Sequence, residues 1–116
     1  MPKLYDLEDR TFNFAKNIRV FARQIPRTIS NIEDTKQVIR SSGSVGANYI
    51  EANESLSKKD FLMRIKICRK EAKETCYWLR LVETGDGATL EKHRTDLIGE
   101  ATELMSIFGA ILRNSQ

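Results

Sequence analysis

The chain has 116 residues, of which 41% are hydrophobic and 30% are charged, so it has the composition of one ordinary globular domain (residues 1–116) and not of a disordered segment. Its net charge is +3 at pH 7, a weak indication of an acidic partner. No apolar run approaches the roughly 20 residues that a membrane span needs, and the N-terminus lacks a signal-peptide core.

The first quarter of the chain carries a regular spacing of side chains that can pack into a core. These positions are four and three residues apart: Leu7, Thr11, Phe14, Ile18, Phe21 and Ile25. The spacing is typical of the buried face of an amphipathic helix. We therefore predict a first helix over about residues 5–25, ended by Pro26.

Four cations follow a helical spacing on another side of this first helix: Lys16, Arg19, Arg23 and Arg27. Intervals of three and four residues predict that they share one face. No acidic residue occurs from Thr11 through Asn31, so this part of the chain is uniformly basic.

A second helix is predicted over about residues 31–54, because Ser30-Asn-Ile-Glu33 has the pattern of a capping box. The stretch RSSGSVGANYIEAN, which begins at Arg40, could instead be a loop that cradles a phosphate. A P-loop, however, needs a lysine after its second glycine, and a dinucleotide-binding loop needs a preceding strand. Neither feature is present here.

The favoured interpretation of this stretch is a narrow part of the second helix. Each glycine in a helix costs about 1 kcal/mol relative to alanine, and close approach of another helix would offset that cost. The small residues expected at this contact are Gly43, Gly46 and Ala47.

Two further helices complete the chain. Ser57-Lys-Lys-Asp60 is a weaker capping box, and buried-face spacing follows it, which predicts a third helix over about residues 58–83. Gly85-Asp86-Gly87 indicates a turn, and a fourth helix is predicted over about residues 89–113, with Arg94 in a position where an apolar residue is expected. Four such helices with short connections predict an all-α, antiparallel up-down-up-down four-helix bundle.

The two cysteines, Cys68 and Cys76, fall on the predicted third helix. Eight residues of helix separate them by about 12 Å, which is too far for a disulfide. Free thiols suit a reducing compartment, so we expect a cytoplasmic protein.

Polar residues on the second and third helices could form a network within the bundle or across a subunit contact: Arg40, Asn48, Glu51, Glu71 and Glu74. The alternative is a di-iron centre, but such a centre needs Glu-x-x-His pairs and the chain has one histidine, His93. No Ser-His-Asp or Cys-His arrangement is recognisable either. We therefore predict no metal, no cofactor and no catalytic residue.

A second basic group lies on the predicted third helix: Lys66, Arg69, Lys70 and Lys73. Neighbouring like charges on a helix repel one another, and a nucleic-acid backbone would relieve that repulsion and release its own counterions. The competing interpretation is that both basic groups are solvated, or that they pair with acidic helices of the same or a neighbouring subunit.

Three segments of the chain carry a family resemblance: RSSGSVGANYIEA from Arg40, SKKDF from Ser57 and KEAKETCYWL from Lys70, together with YDL at residue 5. In these segments the chain resembles the four-helix-bundle family of 23S rRNA intervening-sequence proteins, also called S23 ribosomal proteins. The family forms pentameric rings, and its relatives include accessory proteins of diversity-generating retroelements. The resemblance therefore implies a homopentamer, and it implies RNA or DNA and a reverse transcriptase as partners.

Together these observations favour a non-enzymatic, oligomeric bundle that binds the RNA or DNA backbone through the basic faces of the first and third helices. The alternative is a structural or protein–protein interaction scaffold that binds no nucleic acid. No base-reading module is recognisable, so sequence-specific recognition is not expected.

Overall fold

A computed structural model of the protein describes residues 6–115. It contains four α-helices: α1 (Asp6–Ala22), α2 (Ile29–Asn53), α3 (Lys58–Leu81) and α4 (Ala88–Ser115). No strand is present in this range. Each helix contacts the next along the chain, and α4 also contacts α1, so the four helices close into an antiparallel up-down-up-down bundle as predicted. The helices α1 and α3 are not adjacent, since none of their Cα atoms approach within 8 Å, and they occupy opposite corners of the bundle.

One hydrophobic core receives side chains from all four helices. The predicted face of α1 is buried along its whole length, and Ile25 is buried just beyond the end of the helix. The buried side chains of α4 run from Leu97 to Leu112, and Ile111 beside them is only half-buried. Within residues 6–115, no helix is both long and apolar enough to cross a bilayer.

The helix ends near the first loop differ from the prediction. The helix α1 ends at Ala22, because the amide of Gln24 donates to the carbonyl of Phe21 at 3.0 Å and tightens the chain before Pro26 is reached. The helix α2 begins at Ile29, and the predicted capping box at Ser30 is wrong. Thr28 caps this helix instead, with its hydroxyl accepting from the amide of Asn31 at 3.1 Å. The predicted start at residue 5 lies outside the described residues.

The predicted cap of α3 is confirmed. The Ser57 hydroxyl accepts from the backbone amide of Asp60 at 3.1 Å, and Asp60 adds a negative charge in the first turn, where the helix dipole favours it. The turn that precedes α4 contains Gly85 at a φ of +75°, a conformation that L side chains adopt rarely.

Asn31 joins two loops at one end of the bundle. Its side-chain amide donates to the carbonyls of Pro26 at 2.9 Å and Glu83 at 2.8 Å, and its side-chain oxygen accepts from the Glu83 amide at 2.9 Å. The residue is 1% exposed. These bonds hold the α1–α2 loop against the α3–α4 loop, which explains why a polar residue is buried here.

Arg94 occupies a position that the helical pattern assigns to an apolar side chain. Its guanidinium donates to three carbonyls at the C-terminal end of α3, those of Leu79, Arg80 and Val82, at 3.1–3.4 Å. A helix leaves its last carbonyls without partners, and a cation near that end is favoured by the helix dipole. Arg94 also donates to Glu91. This bond is the main reason why the pKa of Glu91 is lowered, and a hydrogen bond from Thr84 is the second reason.

Candidate nucleic-acid interface

The first basic group, which we call the α1 face, consists of Lys16, Arg19, Arg23 and Arg27. Lys16 and Arg19 lie on α1 itself, whereas the helix ends before Arg23, and Arg27 lies in the α1–α2 loop. Helical spacing therefore places only Lys16 and Arg19 on one face of α1, because the chain leaves the helical path after Ala22. All four side chains are exposed, and none forms an ion pair with residues 6–115.

The second basic group, which we call the α3 face, consists of Lys66, Arg69, Lys70 and Lys73. All four residues lie within α3 and are exposed. Lys70 is near a carboxylate, with its Nζ 3.8 Å from Oε2 of Glu71. The other three have no acidic partner among the residues that the structure describes, so this face carries largely uncompensated positive charge.

The two basic faces do not form one continuous surface on a single chain. They belong to helices at opposite corners of the bundle, with α2 and α4 between them. A straight segment of nucleic acid can therefore lie along one face of a chain at a time. Contact with both faces requires either a second segment or a second copy of the protein.

Acidic side chains line the opposite side of α1, where it meets α4. A groove of about 680 Å³ lies there and is lined by Asp6, Asp9, Asp96 and Glu100, together with Arg10 and His93. Arg10 donates to both oxygens of Glu100, at 2.8 and 2.7 Å. This contact is the main reason why the pKa of Arg10 is raised. Arg10 compensates Glu100 and Lys92 compensates Asp96, so the negative charge left in the groove is that of Asp6 and Asp9, which is unfavourable for a polyanion.

The predicted small residues lie where α1 and α2 meet. A Cβ added at Gly46 would stand 2.9 Å from Oγ1 of Thr11, so the two helices approach closely at this glycine. Gly43 has more room, since its added Cβ would meet the tip of the Arg19 side chain at 3.5 Å. Ala47 is exposed and lines the wall of a groove of about 480 Å³ between the helices.

This α1–α2 groove is apolar inside and basic at its edge. Its apolar walls include Phe12, which is 61% exposed, and Ile50, which is 49% exposed. Lys16 and Arg19 from the α1 face also line it, with Nζ of Lys16 5.7 Å from the centroid of the Phe12 ring. Exposed apolar side chains beside uncompensated cations are typical of a surface that contacts another molecule.

The structure brings together three of the five residues predicted to form a polar network. Arg40 donates to Oε1 of Glu71 at 2.9 Å and to Oε1 of Glu74 at 3.3 Å, which links α2 to α3. Glu71 is buried, so Arg40 supplies the partner that a buried carboxylate requires. Glu51 is exposed, and its carboxylate forms no ion pair with residues 6–115.

Asn48 belongs to a separate contact with Arg64, a residue that the sequence analysis missed. The guanidinium of Arg64 donates to the side-chain oxygen of Asn48 at 3.0 Å, while the Asn48 amide donates to the carbonyl of Ser44 at 2.9 Å. Arg64 could have been found from the bundle topology, because it lies six residues after the start of α3 and Asn48 lies five residues before the end of α2.

The remaining reactive groups are engaged in packing. Both cysteines are free, and burial raises the pKa of Cys68 to about 12, so its thiol stays protonated at neutral pH. His93 packs edge-to-face against Phe21, with ring centroids 5.4 Å apart. Among residues 6–115, no group of three histidine, cysteine or acidic side chains could hold a metal ion.

Comparison with known proteins agrees with this architecture. Comparison with curated proteins gives no significant match. Among solved structures, the chain is similar to the crystal structure of a protein with unknown function from the S23 ribosomal protein family of Bacteroides thetaiotaomicron VPI-5482, with a TM-score of 0.76 and 28% identity over 90% of this chain and 96% of that one. The model of the 23S rRNA-intervening sequence protein family matches residues 5–110, which is nearly the whole chain, and the protein therefore belongs to this family.

Proposed function

We propose that the protein is a non-enzymatic, oligomeric accessory protein of the cytoplasm that binds the RNA or DNA backbone through its two basic faces. The observation that carries the proposal is that the cations on these faces have almost no acidic partners among the described residues. Of the eight residues, only Lys70 has a carboxylate within 4.0 Å among the described residues. A family named for an intervening sequence of 23S rRNA supports RNA as the first nucleic acid to test.

The physical basis of binding is the release of counterions. Each Lys or Arg that neutralises a phosphate displaces a condensed cation from the nucleic acid, which favours binding at low salt and weakens it at high salt. Contacts of this kind position a nucleic acid without reading its bases. Scrambled sequences of the same length and strandedness should therefore bind with similar affinity.

Replacing all four cations of one face by glutamine tests the proposal, because each face serves as a matched control for the other. For each phosphate-contacting residue removed, the slope of log K against log salt should become shallower by about 0.7 on single strands and about 0.9 on duplexes. Binding isotherms of the full-length chain at several salt concentrations measure these slopes.

The control variant combines Lys36→Gln and Lys92→Gln. These lysines already have acidic partners, Glu33 at 3.3 Å and Asp96 at 2.9 Å, so their removal should leave the salt slope nearly unchanged. The proposal is contradicted if neither face variant alters the slope, or if the control variant alters it as much as they do.

The α1–α2 groove favours a second candidate function, that of an assembly scaffold. In this alternative the groove contacts another copy of the chain, and the cations beside it pair with acidic residues of that copy. Family resemblance gives five as the number of copies. Sedimentation should then show a species five times the 13.3 kDa mass of the chain, whereas a stable 13.3 kDa species at micromolar concentration would refute the oligomer.

A charged substitution in the groove tests whether it is the contact between copies. Phe12→Asp should reduce the oligomer to smaller species while the helical content stays unchanged, since Phe12 is exposed in the single chain. Leu56→Asp is the control, because it adds the same charge at a fully exposed residue outside the helices. A Phe12→Asp variant of unchanged mass would exclude the groove as the assembly contact.

A further inference from the structure

Tyr77 lies in line with the cations of the α3 face. Lys66, Lys70, Lys73 and Tyr77 are four, three and four residues apart on one continuous helix, so they share one side of α3. The strip that they form is about 16 Å long. The Tyr77 side chain is 57% exposed and lies near the C-terminal end of α3.

The Tyr77 ring is held in place by its neighbour on the chain. It packs at 77° against the Trp78 ring, with centroids 5.1 Å apart. Trp78 in turn packs against the hydrophobic core. An aromatic ring that is already positioned loses less conformational entropy when another ring stacks on it.

The other basic face has an aromatic residue in a different setting. Phe12 lies beside the α1 face and is also exposed, but the ammonium group of Lys16 stands over its ring and the ring lines the apolar α1–α2 groove. The two rings are similarly exposed, at 61% for Phe12 and 57% for Tyr77, and they differ in setting. Phe12 lies beside an apolar groove, whereas Tyr77 lies in line with three lysines of one helix.

We infer that the α3 face binds single-stranded RNA or DNA in preference to duplex, with an unpaired base stacked on Tyr77 and the phosphates held by Lys66, Lys70 and Lys73. The inference rests on the proposed function and specifies that the bound nucleic acid is single-stranded. In a duplex the bases stack on one another and are unavailable to a side chain outside the helix. A single strand offers the backbone charge and the free face of a base together.

Three probes of the same length separate the contribution of the base from that of the phosphates. They are an oligo-U or oligo-dT strand, a duplex of scrambled sequence, and an abasic strand that keeps the phosphates and lacks the bases. Wild-type protein should bind the oligo-U or oligo-dT strand more tightly than either the duplex or the abasic strand. Tyr77→Ala should weaken binding of the single strands by roughly 5- to 150-fold and leave binding of the abasic strand unchanged.

Two variants serve as controls. Tyr77→Phe keeps a stacking ring and should retain most of the affinity for single strands. Leu56→Ala removes a fully exposed apolar side chain that belongs to neither basic face and should leave that affinity unchanged. Trp78 is the single tryptophan of the chain and touches Tyr77, so its fluorescence should change when a strand with bases binds and not when the abasic strand binds.

The outcomes distinguish this inference from the proposed function. If wild-type protein binds the abasic strand as tightly as oligo-U and oligo-dT, or if Tyr77→Ala leaves binding unchanged, the stacking site is refuted while backbone binding stands. If wild-type protein binds none of the three probes, the proposed function itself fails. If Tyr77→Ala alters the oligomer mass and has no effect on probe binding, Tyr77 is a contact between proteins and the inference is overturned.

Discussion

Replacing Asn31 by leucine is expected to lower the free energy of unfolding by about 3–5 kcal/mol, because three backbone groups would lose their hydrogen-bond partner at once. The carbonyls of Pro26 and Glu83 and the amide of Glu83 all bond this one side chain, at 2.8–2.9 Å. Leucine has a similar size but cannot bond any of them. Urea denaturation followed by circular dichroism measures the loss.

The matched control for this variant is Asn17→Leu. Asn17 is an exposed residue of α1. Its substitution should change the free energy of unfolding by less than about 1 kcal/mol. Equal losses in the two variants would show that Asn31 does not join the loops as described.

Replacing Gly46 by leucine is expected to lower the free energy of unfolding by about 3 kcal/mol, because the new side chain has no space between α1 and α2. Even the first added carbon would lie 2.9 Å from Oγ1 and 3.3 Å from Cβ of Thr11. Thr11 cannot move freely, since its hydroxyl donates to the carbonyls of Leu7 and Glu8 at 2.9 and 3.0 Å. The two helices would have to separate, which exposes part of the core.

The same substitution at Gly99 provides the control. Gly99 is an exposed residue of α4, and a Cβ added there meets nothing within 4 Å. Leucine is a better helix former than glycine, so Gly99→Leu should leave stability unchanged or raise it by up to about 1 kcal/mol. A Gly46→Leu variant as stable as Gly99→Leu would mean that α1 and α2 are not in close contact at Gly46.

The bundle could be predicted from the sequence because the buried residues of a helix recur at short, regular intervals along the chain. A buried face appears as intervals of three and four residues, and this pattern found the core positions of α1 from Leu7 to Phe21. The loop between α1 and α2 was predicted less well. Thr28 and Ser30 are both good capping residues, and the choice between them depends on Asn31, whose partner Glu83 is distant in sequence.

The charges of the candidate interface could be identified from the sequence, but their arrangement could not. Helical spacing brought Lys16 and Arg19 together, whereas Arg27 depends on a loop whose path is set by tertiary contacts. The separation of the two basic faces follows from the packing order of the helices. The role of Arg94 could not be predicted from the sequence either, because its partners are carbonyls at the end of another helix.

The arrangement of charge has a consequence for how nucleic acid would be bound. The α1 and α3 faces lie at opposite corners, and the acidic groove lies on the far side of α1. An assembly of copies would carry each basic face once per copy. Each face then contributes weakly by itself, and avidity between copies would supply much of the total affinity.

Salt titration of wild-type protein against scrambled-sequence RNA, in single-stranded and duplex form, tests the central claim most directly. If one basic face contacts the backbone with four cations, log K should fall linearly with log salt between about 50 and 200 mM, with a slope of about −3 or steeper. Absence of binding to any RNA or DNA at about 50 mM salt, or binding that does not respond to salt, would contradict a function based on the phosphate backbone.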